Sequence, residues 1–374
     1  MSGIFYMAGV VGLEPTNVGT RTRCLTTWRH PNLSNNWSLH ILPQTLKKCY
    51  NKYIMAKQKK TFTRAELENL TAEEIINKIQ HENYSLLTTL GAEDLRKEMV
   101  PVGKACNAAV NYFFRATGPK NDVEKHNKNA RKKLVKVLAK LAPGSYAGMP
   151  KDRDNGLVIG FNHPSLGEIG RILMMKIDIM GEKPMCFPVN LPWYEALATN
   201  YDRIKRLGII LTPTITPSTW KKMNLKEGTF KYEQGNRLKR EFRDIYTKLS
   251  HDTVKEGGVI FVAPSATRQA TVFKNEEVYR GEEEIIPTMS MLAVKLYSDP
   301  EMKCDFLPMA ILPPKNYKRG LNFYKKYRLI PGEIMTADYI RKKYFKTKNP
   351  KRLEGFDFEF HQRIADKLPK TFWY

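Results

Sequence analysis

The order of apolar and polar positions divides the chain into stretches of different texture. Residues 1–54 show neither helical nor strand periodicity. From 63 to about 150 the apolar residues recur at helical spacing, as at Leu86, Leu87 and Leu90 and again at Val135, Val137, Leu138 and Leu141. Thr63 and Thr71, each followed three residues later by a glutamate (Glu66, Glu74), predict capping boxes that open two helices. From about 155 short apolar runs alternate with helical patterns. GLVIGF (156–161), MCFPV (185–189), LGIILTPTI (207–215), GVIFVAPS (258–265) and CDFLPMAIL (304–312) suit buried strands. EIGRILMMKIDIM (168–180), YEALATNYDRIKRL (194–207), residues 237–258 and IIPTMSMLAVKLYS (285–298) suit helices, the third closed by Gly257 and Gly258.

Strand–helix alternation of this kind predicts an α/β fold. We expect a mostly parallel central sheet flanked by helices, with an N-terminal helical region. The expected organisation is a non-native or disordered extension over 1–54, a helical region over 55–150, an α/β domain over 151–340 and a basic segment over 341–374. The run at 12–31 resembles sequence met when a reading frame is extended backward across a transfer-RNA gene, which makes Met55 the expected start. A disordered basic arm is the alternative.

Charge changes the picture more than composition does. Hydrophobic residues make up 42% and charged residues 27%, ordinary for a globular protein, but 62 Lys and Arg face 38 Asp and Glu, a net +24. Residues 1–54 carry only +5 of it. Such a surplus favours anionic partners: nucleic acid, acidic headgroups, or anionic carriers and cofactors. No apolar stretch is long enough for a membrane-spanning helix. The five cysteines (24, 49, 106, 186, 304) show no zinc spacing and read as reduced structural thiols. Lys132, Lys133, Lys136 and Lys140 share one helical face, read as solvated or as a membrane-docking surface. Tyr324–Arg328, Lys343–Lys351 and the terminal Phe372-Trp373-Tyr374 mix aromatic and basic residues, and Glu282-Glu283-Glu284 suits a helix start.

In parallel sheets ligands bind beyond the carboxyl ends of strands, so the turns at 161–168 and 263–268 carry the candidate chemistry. The first holds His163 with Glu168 five residues on. A carboxylate on one imidazole nitrogen fixes the tautomer and leaves the other free to take a proton, which suits deprotonation of a hydroxyl attacking a thioester.

NHPSLGE (162–168) resembles the first block, N-H-x-x-x-x-D, of the glycerolipid acyltransferase family. FVAPSATRQA (261–270) is similar to its third block, FLPMAIL (306–312) to its fourth, and LGIILTP (207–213) stands where the second belongs. The resemblance spans about 155–340, with the blocks in order. It implies His163 as general base, Glu168 as the carboxylate that orients it, and Arg268 with Thr267 as phosphate ligands, with Asn162 and Ser165 as further substrate contacts. Pro308 would be structural.

Four positions depart from the family pattern. Glu168 replaces aspartate, Ser265-Ala266 replaces Glu-Gly, and Thr214 stands where block two ends in arginine, which passes phosphate binding there to Lys205 or Arg206. The P-S-x-x-R variant resembles the soluble, plastid-type glycerol-3-phosphate acyltransferases. The implied donor is acyl-CoA or acyl carrier protein as co-substrate, with no bound cofactor and no metal. The implied acceptor is a phosphorylated glycerol or lysolipid, and the implied location is cytoplasmic, peripheral at an anionic membrane, without nucleic acid. A catalytically weak acyl- or lipid-binding protein of the same fold is the alternative. A nucleic-acid binder is motivated by charge alone.

Overall fold

The computed structural model describes residues 59–114, 123–141, 154–163, 183–264, 288–312, 327–347, 350 and 352–369. The expected extension over 1–54, the helix at 168–180, the acidic run at 282–284 and the terminal aromatics lie outside these residues.

Both predicted capping boxes form. The Thr63 hydroxyl accepts from the Glu66 N–H at 3.1 Å, and that of Thr71 from the Glu74 N–H at 3.3 Å. Each glutamate takes its threonine's backbone N–H in return at 2.8 Å. They open α1 (Arg64–Asn69) and α2 (Ala72–His81). After them come α3 (Leu86–Thr89), α4 (Glu93–Phe114) and α5 (Val123–Leu141). In α5, Lys132 and Lys136 are exposed, but Lys133 folds back, its ammonium 3.9 Å from the Tyr112 ring centroid and donating to the Tyr112 carbonyl. The helical region is therefore attached: Leu67, Ile75, Leu86, Leu87 and Val110 share one buried cluster with the sheet, rather than forming a separate domain.

The remaining elements alternate as expected. They are β1 (Gly156–Phe161), β2 (Met185–Asn190), α6 (Leu191–Leu197), α7 (Tyr201–Arg206), β3 (Ile209–Thr214), α8 (Pro217–Met223), α9 (Phe230–Lys255), β4 (Val259–Val262), α10 (Thr288–Leu296), β5 (Cys304–Leu312), β6 (Arg328–Pro331), α11 (Ala337–Tyr344) and α12 (Phe356–Ala365). The strand order is β3-β2-β4-β1-β5-β6, parallel throughout except for the antiparallel β5–β6 pair. This is the α/β fold with a mostly parallel sheet.

Strand β1 is buried along its whole length, because both faces are covered. Leu157, Ile159 and Phe161 face the cluster that includes α1–α4, while Val158 faces α10 and α12.

Two helical stretches differ from expectation. The pattern at 194–207 is one helix in sequence, but here it is α6 and α7 joined by a single 3-10 turn at Ala198–Asn200. Helix α9 starts well before 237, at Phe230, capped by Thr229. Gly235 hides this start, since a glycine inside a helix reads as a break. It is there for space: a β-carbon at 235 would sit 3.0 Å from both Trp220 and Leu225. The left-handed φ of Gly257, +71°, ends the helix as predicted.

The boundary expected at 340 falls inside α11, and within the basic segment expected over 341–374 helix α12 packs across the sheet. Phe356 and Phe360 are fully buried, each worth roughly 2–3 kcal/mol of apolar burial. Tyr327, in the mixed aromatic and basic run, is fully buried beside β6.

Candidate active site at the carboxyl edge of the sheet

Strands β1 and β4 are parallel neighbours, with Gly160 opposite Val262. The turns that follow them therefore leave the sheet side by side at one edge, about 5 Å apart. The order of strands sends the chain from β1 toward β2, but from β4 across β1 to β5. The neighbouring strands whose chains leave in opposite directions are β2, toward β3, and β4, toward β5, and a crevice of that kind at the carboxyl ends is the usual ligand site of such sheets.

His163 stands at this edge. It continues the face of Phe161, two residues back, and its ring meets that of Phe161 edge to face at 6.2 Å and 76°. Phe161 in turn contacts Phe261 of β4, and Phe261 contacts Phe187 of β2, at centroid distances of 6.4 and 6.3 Å. The half-buried imidazole thus rests on an apolar floor carried by three strands.

Asn162 has an occupation the sequence did not suggest. Its amide nitrogen donates to the Ile311 carbonyl at 3.0 Å, and its oxygen accepts the Ile311 N–H at 2.6 Å. The buried side chain acts as an extra rung between β1 and β5. It fixes the backbone immediately before His163, and both of its polar atoms are engaged there rather than turned to a substrate.

The second turn begins at Pro264, and the chain is back beside it at Thr288, whose hydroxyl donates to the Pro264 carbonyl at 3.0 Å. Met289 and Ser290, which open α10, give their N–H groups to the Asp357 carboxylate at 2.9 and 3.2 Å. Ser165, Glu168, Thr267 and Arg268 lie outside the described residues. Pro308, opposite Gly160 in the middle of β5, is fixed by the Gly332 N–H, which donates to its carbonyl at 2.7 Å.

Lys205 and Arg206 do not join this edge. They end α7, just before β3 begins, and so lie at the amino end of a parallel sheet whose carboxyl end carries His163. A six-residue strand spans about 20 Å, and three strand spacings add about 14 Å sideways. Neither side chain can reach across that, which corrects the expectation that they bind the same substrate.

A residue the sequence reading passed over does reach the carboxyl edge. Asn190 ends β2, its amide nitrogen donates to Thr219 at 2.7 Å, and its oxygen is buried with no hydrogen-bond partner. Its one sequence signal is a polar residue between a strand and a Leu-Pro helix start. One turn on, buried Glu195 accepts from the Ser85 hydroxyl at 2.7 Å and the Leu87 N–H at 2.9 Å. Burial pushes its carboxyl up, against the pull of those donors and of Lys59. Burial also lowers Lys59, whose buried ammonium has no hydrogen-bond partner.

Cys186 and Cys304 are single buried thiols, and burial pushes Cys186 up to about 12, which makes it a poor nucleophile. No family model and no curated protein matches the chain.

Proposed function

We propose that the chain is an acyltransferase, moving a fatty acyl group from a CoA or acyl-carrier-protein thioester to the hydroxyl of glycerol-3-phosphate or a related lysophospholipid. The observation that carries this reading is the pairing of β1 with β4. It brings the turn holding His163 next to the turn leading to Thr267 and Arg268, though a hundred residues separate them.

In this reading His163 takes the proton from the acceptor hydroxyl, and the oxygen attacks the thioester carbonyl. Collapse of the tetrahedral intermediate expels the thiolate, which leaves as the thiol once protonated. Glu168 orients the imidazole, and Arg268 with Thr267 binds the acceptor's phosphate. Backbone N–H groups at the edge supply the oxyanion's donors. The apolar floor of Phe161, Phe261 and Phe187 suits an acyl chain beside the base.

Among the described residues no helix is long and apolar enough to cross a membrane. With a net +24, the reading is of a cytoplasmic enzyme that meets its lipid at an anionic surface.

The test is thiol release from a long-chain acyl-CoA or acyl carrier protein, with glycerol-3-phosphate and lysophosphatidate as acceptors. Acceptor-dependent release that disappears in His163→Ala supports the reading. Release that survives this substitution removes His163 as the base. No release from either donor with either acceptor would overturn the activity.

A further inference from the structure

A second polar cleft lies away from His163, on the flank of the sheet between α4 and the Ala198–Arg206 segment. It encloses about 520 Å³, within the range of small-molecule sites, and is lined by Asn107, Asn111, Asn200, Arg203 and Arg206 together with Asp202.

Its charge is not neutralised from within. Among the described residues neither Arg203 nor Arg206 forms an ion pair, whereas Arg237 and Arg363 are each paired with a glutamate. The lining's one acid, Asp202, has a carboxylate oxygen 3.9 Å from Nδ1 of His81. Arg131 of α5 donates through Nε and Nη2 to the Arg206 carbonyl at 3.3 and 3.1 Å. Arg203 is steadied by a hydrogen bond to the Asn111 side chain.

Basic residues in a helix's last turn favour its dipole, which is reason enough for Arg203 and Arg206 to be basic. It does not explain a cleft walled by carboxamides on the opposite helix. Asn107 and Asn111 stand one turn apart on α4, where Asn111 donates to the Asn107 oxygen at 3.2 Å while accepting from Arg203, so the pair forms one polar wall with the guanidinium.

We propose that this cleft binds a phosphomonoester with a hydroxylated body. The phosphate would sit between the Arg203 and Arg206 guanidinium groups, whose planar forks match its oxygens. The carboxamides would hold the hydroxyls. The same chemistry is offered by a soluble sugar or glycerol phosphate and by a phosphatidate headgroup. The site is independent of the acyl-transfer reading.

The experiment is calorimetric titration of the full chain at low ionic strength with glycerol 2-phosphate. Sedimentation with phosphatidylcholine vesicles, with and without phosphatidate, runs beside it. Saturable binding is expected, with Kd raised at least tenfold in the Arg203→Gln/Arg206→Gln double variant. Asn107→Asp, which leaves both arginines in place and adds a negative charge, should weaken binding as well. Binding of phosphatidate vesicles alone, lost in the double variant, would assign the headgroup as the source. Equal binding by wild type and a folded double variant, or binding of neither probe, overturns the proposal.

Discussion

Asn162 and Ile311 exchange two hydrogen bonds, side chain to backbone, across the gap between β1 and β5 at the point where His163 leaves the sheet. The pair extends the ladder by one rung with a side chain in place of a strand. Removing it leaves a buried N–H and C=O unmet. Asn162→Ala is therefore expected to cost roughly 2–4 kcal/mol, read as a lowered urea midpoint. Asn162→Asp, which keeps the acceptor but loses the donor, should be destabilised too. His163→Ala should leave the midpoint nearly unchanged. If Asn162→Ala unfolds at the wild-type midpoint, the clamp contributes nothing.

Gly160 admits no side chain. A β-carbon there would lie 2.3 Å from Cε1 of Phe360. Gly160→Ala should cost roughly 1–3 kcal/mol through overpacking, and Phe360→Leu in the same chain should recover part of the loss. Additive effects of the two changes would contradict direct contact.

Stability should fall on the acid side, with a known source. Glu359 accepts from Tyr339, Tyr344, Lys343 and Arg363, and these partners hold its carboxyl at about 2 against burial's upward push, well below its ordinary 4.5. Its contribution is complete above pH 4.5 and is lost as the pH falls toward 2. Buried His361, lowered from 6.5 by desolvation, adds a loss that starts below pH 6.5 as the unfolded chain takes up a proton. Asp357, raised by burial, works in the opposite sense near pH 4. Denaturation midpoints of Glu359→Gln should change less than those of wild type between about pH 5 and 3. An unchanged pH slope in that variant would move the source elsewhere.

Lys205→Ala should leave the acceptor's KM within about twofold, because Lys205 lies at the amino end of the sheet while the turn proposed to bind phosphate leaves its carboxyl end. A large KM rise with unchanged kcat would mean that the acceptor extends to that edge.

Most of the sheet was legible from runs of apolar residues. GLVIGF and CDFLPMAIL are strands buried on both faces, which leave no polar alternation to confuse them with loops, and MCFPV is an apolar run buried at Met185 and Cys186. The turn with His163 was legible for the same reason, since it follows the clearest of these runs. What stayed hidden depends on distant partners. Strand β6 is four residues long and takes its order from β5, not from its own pattern. The start of α9 is masked by a glycine that only the approach of Trp220 explains. The clamp role of Asn162 needs Ile311, far along the chain, and no spacing within one turn reveals it. Lys205 and Arg206 show the converse: nearness in sequence to a strand says nothing of which end of the sheet they occupy.

The place of β1 in the sheet sets an order of events during synthesis. Leu157 emerges early, yet its partners are Val259 on one side and Asp305 on the other, and the aromatic cover of its even face comes with Phe360. Until those residues leave the ribosome, a strand of six apolar positions has both backbone edges open and one face bare. Such a segment pairs readily with other strands. A nascent chain halted before β5 should therefore depend on chaperones, and removal of α12 should give a protein that aggregates rather than one that merely melts earlier.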